Sequence, residues 1–128
     1  MTRIFFAFFL FTATATIATT QHVAAQTVAV TAASFTVKVD QMDAYIASGN
    51  LTSAQTTFGE IDNMMQSVLA TTKASIRSAA TPADKTSAQN IMRNQFAIYQ
   101  AIWKLKADLA TNRAAIRTKL QEFDLTIQ

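Results

Sequence analysis

The chain has no cysteine, one proline, two glycines and one histidine in 128 residues. Without cysteine there is no disulfide staple, no thiolate nucleophile and no lipid-modified cysteine at a processed N-terminus. Two glycines are too few for a loop that cradles phosphate on its backbone N–H groups. The histidine, His22, lies in an N-terminal segment that reads as cleavable, so serine and threonine hydroxyls are left with no imidazole to activate them. Glutamate is equally scarce, with Glu60 and Glu122 alone, whereas bundles that hold two metals use inward glutamates and Glu-x-x-His pairs. Met42, Met64, Met65 and Met92 fall at core spacing and would be the only axial ligands open to a haem. Asp40 and Asp43, three apart, read as solvated charge. The chain is therefore expected to be non-enzymatic, without catalytic residues, metal or cofactor.

What remains is half apolar and only 15% charged, a composition that fits one small helical domain. Met1 to Ala25 stands apart. Arg3 is its only charge, Ile4 to Phe11 is a nearly unbroken apolar core, and Val23-Ala24-Ala25 offers small residues at a cut before Gln26. This predicts a secretory signal peptide over 1–25 and a mature chain over 26–128, exported to the periplasm or the extracellular space. An uncleaved anchor is the competing reading, weakened by Thr12, Thr14, Thr16, Thr19 and Thr20 in the segment that would have to span hydrocarbon.

Three helices follow from periodicity. Val28, Ala32, Phe35, Val39, Met42 and Ile46 step by three and four, although Phe35, Val37 and Val39 also alternate as a strand would. A lone strand would leave its backbone groups unpaired, so a helix over about 32–48 is expected, with Gly49 taking the left-handed position after it. Thr52-x-x-Gln55 has the capping-box pattern and opens a second helix to about residue 79, with Leu51, Ala54, Phe58, Ile61, Met65, Val68, Thr72 and Ile76 on one face. Gly59 weakens that helix unless it permits a close contact. Thr81-Pro82-Ala83-Asp84 caps a third, unusually long helix over 82–124, without internal glycine or proline. Its apolar stripe is Ile91, Ile98, Ile102, Leu105, Leu109, Ile116, Leu120, Phe123 and Ile127, and Thr111-Asn112 is the one plausible break.

Short connections then give an all-α, antiparallel up-down-up bundle of three helices. At ~1.5 Å per residue the third helix, roughly 64 Å long, would overshoot the hairpin of the first two. Ile116, Leu120, Phe123 and Ile127 would be left without an intramolecular partner, which marks them as an interaction stripe for a second copy in a homodimer, another helical protein or a membrane surface. Alternatively the helix breaks at Thr111-Asn112 and folds back. A basic face of Arg93, Lys104, Lys106, Arg113, Arg117 and Lys119, opposed only by Asp108, suits an anionic polysaccharide or peripheral contact with lipid headgroups, or is simply a solvated face. Nucleic acid is not an expected partner of an exported protein. Phe96, Tyr99 and Trp103 are expected to be core packing, with the indole and phenol reaching the surface.

Leu51-Thr52-Ser53-Ala54-Gln55 resembles the LTxxQ signature of the small helical periplasmic stress chaperones. That five-residue resemblance, present once, implies an exported, all-helical, dimeric protein. Tyr45 to Ile61, with Gly49, Ala54 and Phe58 in place, is similar to the helical hairpin of tetratricopeptide-type repeats and implies a helix-turn-helix there. The function these observations favour is an exported helical binding or structural module, self-associating or chaperone-like, acting through its C-terminal helix. The alternative is a binder of anionic surfaces.

Overall fold

A computed structural model describes residues 29–127. The expected signal peptide and His22 lie outside them. The described chain is all-helical: α1 (Ala32–Ala47), α2 (Leu51–Ser78), α3 (Pro82–Leu105) and α4 (Arg113–Asp124). The N-caps of α1, α2 and α3 are chemically specified. Thr31 and Ser34 form a reciprocal capping box at α1, and the Thr81 hydroxyl accepts from the Asp84 N–H at 3.1 Å with Pro82 in the first turn of α3. At α2 the cap is Asn50, whose side chain accepts from Ser53 N–H at 3.2 Å. Thr52 is thus inside the helix, and the expected Thr52-x-x-Gln55 box is not what closes its N-terminus. Gly49 has φ of 76°, the left-handed backbone needed to turn the chain from α1 into α2.

The helical reading of 32–48 holds. Phe35, Val39, Met42 and Ile46 are buried on one face, while Val37, which the strand-like alternation would have placed with Phe35 and Val39, is 65% exposed. On α2 the buried residues are Ala54, Thr57, Phe58, Ile61, Met65 and Val68. Its many threonines and serines are accommodated because Thr56, Thr57, Thr71, Ser75 and Ser78 each donate to the carbonyl four residues back. No atom lies within 4 Å of where a Cβ on Gly59 would sit, so that glycine permits no close helix contact.

The long third helix is corrected. It ends at Leu105, and residues 106–112 turn the chain so that α4 runs back. The connection is built from short polar side chains that compete with helical hydrogen bonding. Asp108 accepts from the Thr111 N–H at 2.9 Å and from the Thr111 hydroxyl at 2.7 Å, and Asn112 Nδ2 donates to the Leu105 carbonyl at 2.9 Å, satisfying a backbone group the terminated helix has released. The break therefore covers a whole connection instead of the single dipeptide Thr111-Asn112.

Four helices, not three, make the bundle. α1 packs on α2 and α4, and α3 packs on α2 and α4. Direction follows from paired contacts: Thr36 meets Asp124 while Asp43 meets Arg113, so α4 is antiparallel to α1. Gln95 of α3 reaches Thr126 just beyond α4, so α4 is antiparallel to α3 as well. The result is an up-down-up-down ring. The stripe expected to lack a partner is its centre. Ile116, Leu120 and Phe123 are fully buried, Leu109 plugs the connection at 6% exposure, Ile127 packs against the same core, and the Phe35 and Phe123 rings lie 5.7 Å apart.

The overshoot lies elsewhere. α2 has 28 residues and α3 has 24, against 16 and 12 for α1 and α4. Buried positions stop at Val68 on α2 and begin at Gln95 on α3. The tip of the α2–α3 hairpin thus projects past the four-helix core as a two-helix stalk, lined by the partly buried Thr72, Ile76, Ala79 and Ala88.

Two substitutions test this fold. Leu120→Glu should unfold or severely destabilise the protein, by more than about 3 kcal/mol in urea unfolding, because the charge would be buried unpaired. Gly59→Ala should stabilise by about 0.5–1 kcal/mol, since helix propensity rises and no neighbour is displaced.

Candidate interaction face and the carboxylate clasp

Two sets of side chains outside the apolar core draw attention, and they sit on different elements. The first is a clasp between α1 and α4. Asp43 sits at the C-terminal part of the buried α1 face and is 7% exposed. Arg113 forks onto it, Nε to Oδ1 at 2.7 Å and Nη2 to Oδ2 at 2.8 Å, and Arg117, one turn on, donates Nη1 to Oδ2 at 2.8 Å. Arg117 also reaches Asp40 at 3.5 Å. Asp43, expected to be a solvated charge, is thus the anion that binds α4 to α1. The Arg113 hydrogen bond holds its carboxyl below the usual carboxylate range; burial opposes this, and the positive charges of Arg113 and Arg117 reinforce it.

This clasp divides the expected basic face. Arg113 and Arg117 are engaged with α1, and Lys119 pairs with Glu122 at 2.7 Å. Arg93, Lys104 and Lys106 have no carboxylate partner among the described residues. Of the six cations expected to form one surface, Arg113 and Arg117 bind α1, Lys119 pairs within α4, and Arg93, Lys104 and Lys106 lie on or just after α3 without a carboxylate partner among the described residues.

The second set is on α3. Its core face is Gln95, Ile98 and Ile102. Rotated from that face lies a second stripe, Met92, Phe96, Tyr99 and Trp103, at steps of four, three and four. Contrary to the expectation of core packing, Phe96 is 47% and Trp103 46% exposed, while Met92 and Tyr99 are half-buried. Phe96, Tyr99, Gln100, Trp103 and Lys104 line an open cleft of about 450 Å³. Tyr99 and Trp103 stack with ring centroids 6.1 Å apart, and Lys106 Nζ lies 2.8 Å from the Trp103 ring centroid, so Trp103 is in contact with both a ring and a cation. Burial pushes the Tyr99 phenol up, and the carboxylate of Asp62 on α2 adds to this. The influence of Asp62 sets Tyr99 on the side of α3 that faces α2.

A third feature is polar. Gln95 is 1% exposed; its Oε1 accepts from the Thr72 hydroxyl at 2.8 Å and its Nε2 donates to the Thr126 carbonyl at 3.4 Å. This ties α2, α3 and the end of α4 together where the apolar core gives way to the stalk.

Chemically these arrangements hold helices together and present an aromatic surface. Among the described residues no group of three or more His, Cys, Asp or Glu side chains is placed to hold a metal, and no described helix is long and apolar enough to cross a membrane. Ile116, Leu120, Phe123 and Ile127 come together as core, and what sequence reasoning missed is that Phe96 and Trp103 face outward. The signal was present: the four-three-four stripe from Met92 to Trp103 is out of phase with Ile91, Ile98 and Ile102, and a helix packed on two neighbours cannot bury both stripes. Comparison with family models, curated proteins and solved structures returns no match.

Because the folded Asp43 carboxyl titrates below its unfolded value of about 3.9, its contribution is present above that pH and is lost as pH falls through the folded value. Asp43→Asn should cost about 1.5–3 kcal/mol at pH 7 and should flatten the loss of stability below about pH 4. Urea unfolding of both proteins from pH 7 to 2.5 gives the comparison; parallel pH profiles would show that the clasp is not the titrating element.

Proposed function

We propose that this protein is an exported, non-enzymatic binding module that acts through the outer face of α3, either by self-association or by holding a helical or partly unfolded partner in the manner of a chaperone. The observation that carries this reading is the row of half-exposed Phe96 and Trp103 flanking Tyr99 above an open cleft. Large aromatic side chains at helical spacing are the groups that dominate protein interfaces, and leaving them in water without a partner is costly. The four-helix core supports the reading by giving the stripe a rigid base: Ile98 and Ile102 anchor the inner face of the same helix at 8% and 0% exposure.

The site of action differs from the one the sequence suggested. Ile116, Leu120 and Phe123 are inside the bundle, so association through them would require α4 to leave α1, against the Asp43 clasp. Binding of anionic surfaces is the weaker alternative, since Arg113, Arg117 and Lys119 already have carboxylate partners.

Phe96→Asp with Trp103→Asp tests the reading. The wild-type protein should associate, with itself or with a denatured client protein whose aggregation is followed by turbidity, and this should persist in about 1 M salt because apolar contact is not screened. The double variant should lose the association while its helical spectrum and urea midpoint stay within about 0.5 kcal/mol of wild type, as surface positions allow. A double variant that associates like wild type would remove α3 from the account.

A further inference from the structure

We infer that the α3 stripe is a docking surface for an amphipathic helix whose one flank is acidic, and that a second copy of this chain is not its proper occupant. This rests on the reading of α3 as the binding face and adds what binds there.

The stripe from Met92 to Trp103 covers eleven residue steps, or roughly 16 Å along the helix at 1.5 Å per residue. That length and the four-three-four spacing suit about three turns of a partner helix with apolar side chains at i, i+4, i+7 and i+11. Tyr99 and Trp103 are already fixed against each other, so little side-chain freedom is lost on binding.

Charge decides between occupants. At about 100° per residue, Arg93 and Lys104 project from the solvent side of the stripe, one near each end, and Lys106 sits over Trp103. None of the three has a carboxylate partner among the described residues. The opposite flank, toward α2, carries Asp62, whose Oδ2 accepts from Gln66 at 2.8 Å and whose Oδ1 is buried without a hydrogen-bond partner. A partner helix therefore meets Arg93 and Lys104 along its solvent-side flank, which favours acidic residues there.

A second copy fails this condition. The isologous antiparallel pairing that sets Met92 opposite Trp103 and Phe96 opposite Tyr99 of the other chain also brings Arg93 level with Lys104 of the other chain, on the same side of the pair. The two-fold axis repeats this like-charge approach, and no carboxylate of α3 offsets it, because Asp84, the one acid in α3, lies well beyond the stripe. Such juxtaposition works against the complex.

The stripe holds the chain's single tryptophan, so Trp103 emission reports occupancy directly. Two synthetic peptides of about 16 residues, roughly four turns, serve as probes: both carry leucine at i, i+4, i+7 and i+11, one with glutamates on a single flank and the other with lysines there. The full-length protein should give a saturable blue shift with the acidic peptide, and about tenfold weaker binding of the basic one, as expected for loss of two exposed ion pairs and their replacement by repulsion. Arg93→Glu with Lys104→Glu should invert that preference, and Phe96→Asp should abolish the shift for both.

Equal affinities for the two peptides, or no saturable shift with either, would overturn the inference. So would light scattering that shows a dimer dissociated by Phe96→Asp and unaffected by the acidic peptide; α3 would then remain the binding face with a second copy as its occupant. A Trp103 shift on vesicles of phosphatidylglycerol and phosphatidylcholine, without response to the acidic peptide, would assign the face to lipid instead. If neither Phe96→Asp nor the charge reversal altered any association, the reading of α3 as a binding face would fail too.

Discussion

The burial of one α4 face between α1 and α3 is the constraint from which the architecture follows. α4 has 12 residues, too few to be stable as an isolated helix in water, and it persists because Ile116, Leu120 and Phe123 are removed from solvent completely. Each such side chain contributes on the order of 1.5–3 kcal/mol on burial, before the entropy of ordering is subtracted. The gain is available only if the chain reverses after Leu105. Burial of α4 thus explains the turn at 106–112 and the closing of three helices into a ring of four.

That closure constrains the charges as well. Bringing α4 against α1 places Arg113 and Arg117 beside Asp43, and Asp43 is mostly removed from water. A carboxylate so placed without its partners would be strongly destabilising, whereas with three charge-assisted hydrogen bonds it fixes the register of α4 along α1. The apolar stripe supplies the driving force, and the clasp selects one alignment among those the stripe would tolerate. Gln95 does the corresponding work at the other end, linking Thr72 and Thr126 across α3. The core is thus bounded by two polar ties, beyond one of which the α2–α3 hairpin continues as the stalk.

The surface left after this packing carries the groups that the proposed binding role uses. A helix in a four-membered ring has two neighbours and an outward side. On α3 the outward side is not uniformly polar: Phe96 and Trp103 are nearly half exposed, while Arg93, Lys104 and Lys106 remain without carboxylates of their own among the described residues. Arg93 and Lys104 flank that aromatic row on its solvent side, the arrangement on which the proposed recognition rests. It offers apolar area for affinity and a charge asymmetry for choice of partner.

Much of this was legible locally. The steps of three and four, the scarcity of glycine and proline, Thr81-Pro82 at one helix start and Gly49 at one helix end place α1, α2 and the start of α3 within a residue or two, because caps and periodicity are properties of neighbouring residues, whereas the end of α3 at Leu105 was missed. The apolar identity of Ile116, Leu120 and Phe123, and the weakness of the helix at Thr111-Asn112, were equally visible. Whether those side chains would meet another chain or their own was not, since a periodic stripe states that a face must be covered and is silent on what covers it. Asp43 likewise reads as an ordinary surface acid until α4 is laid against it, and Phe96 and Trp103 read as core until both neighbours of α3 are in place. The caps, the helical periodicity and the list of faces needing burial were determined by the sequence alone; the end of α3 at Leu105 and the separate α4 were not. The partner of each face was decided by the tertiary structure, because pairing depends on where the chain turns and on how many helices close the ring.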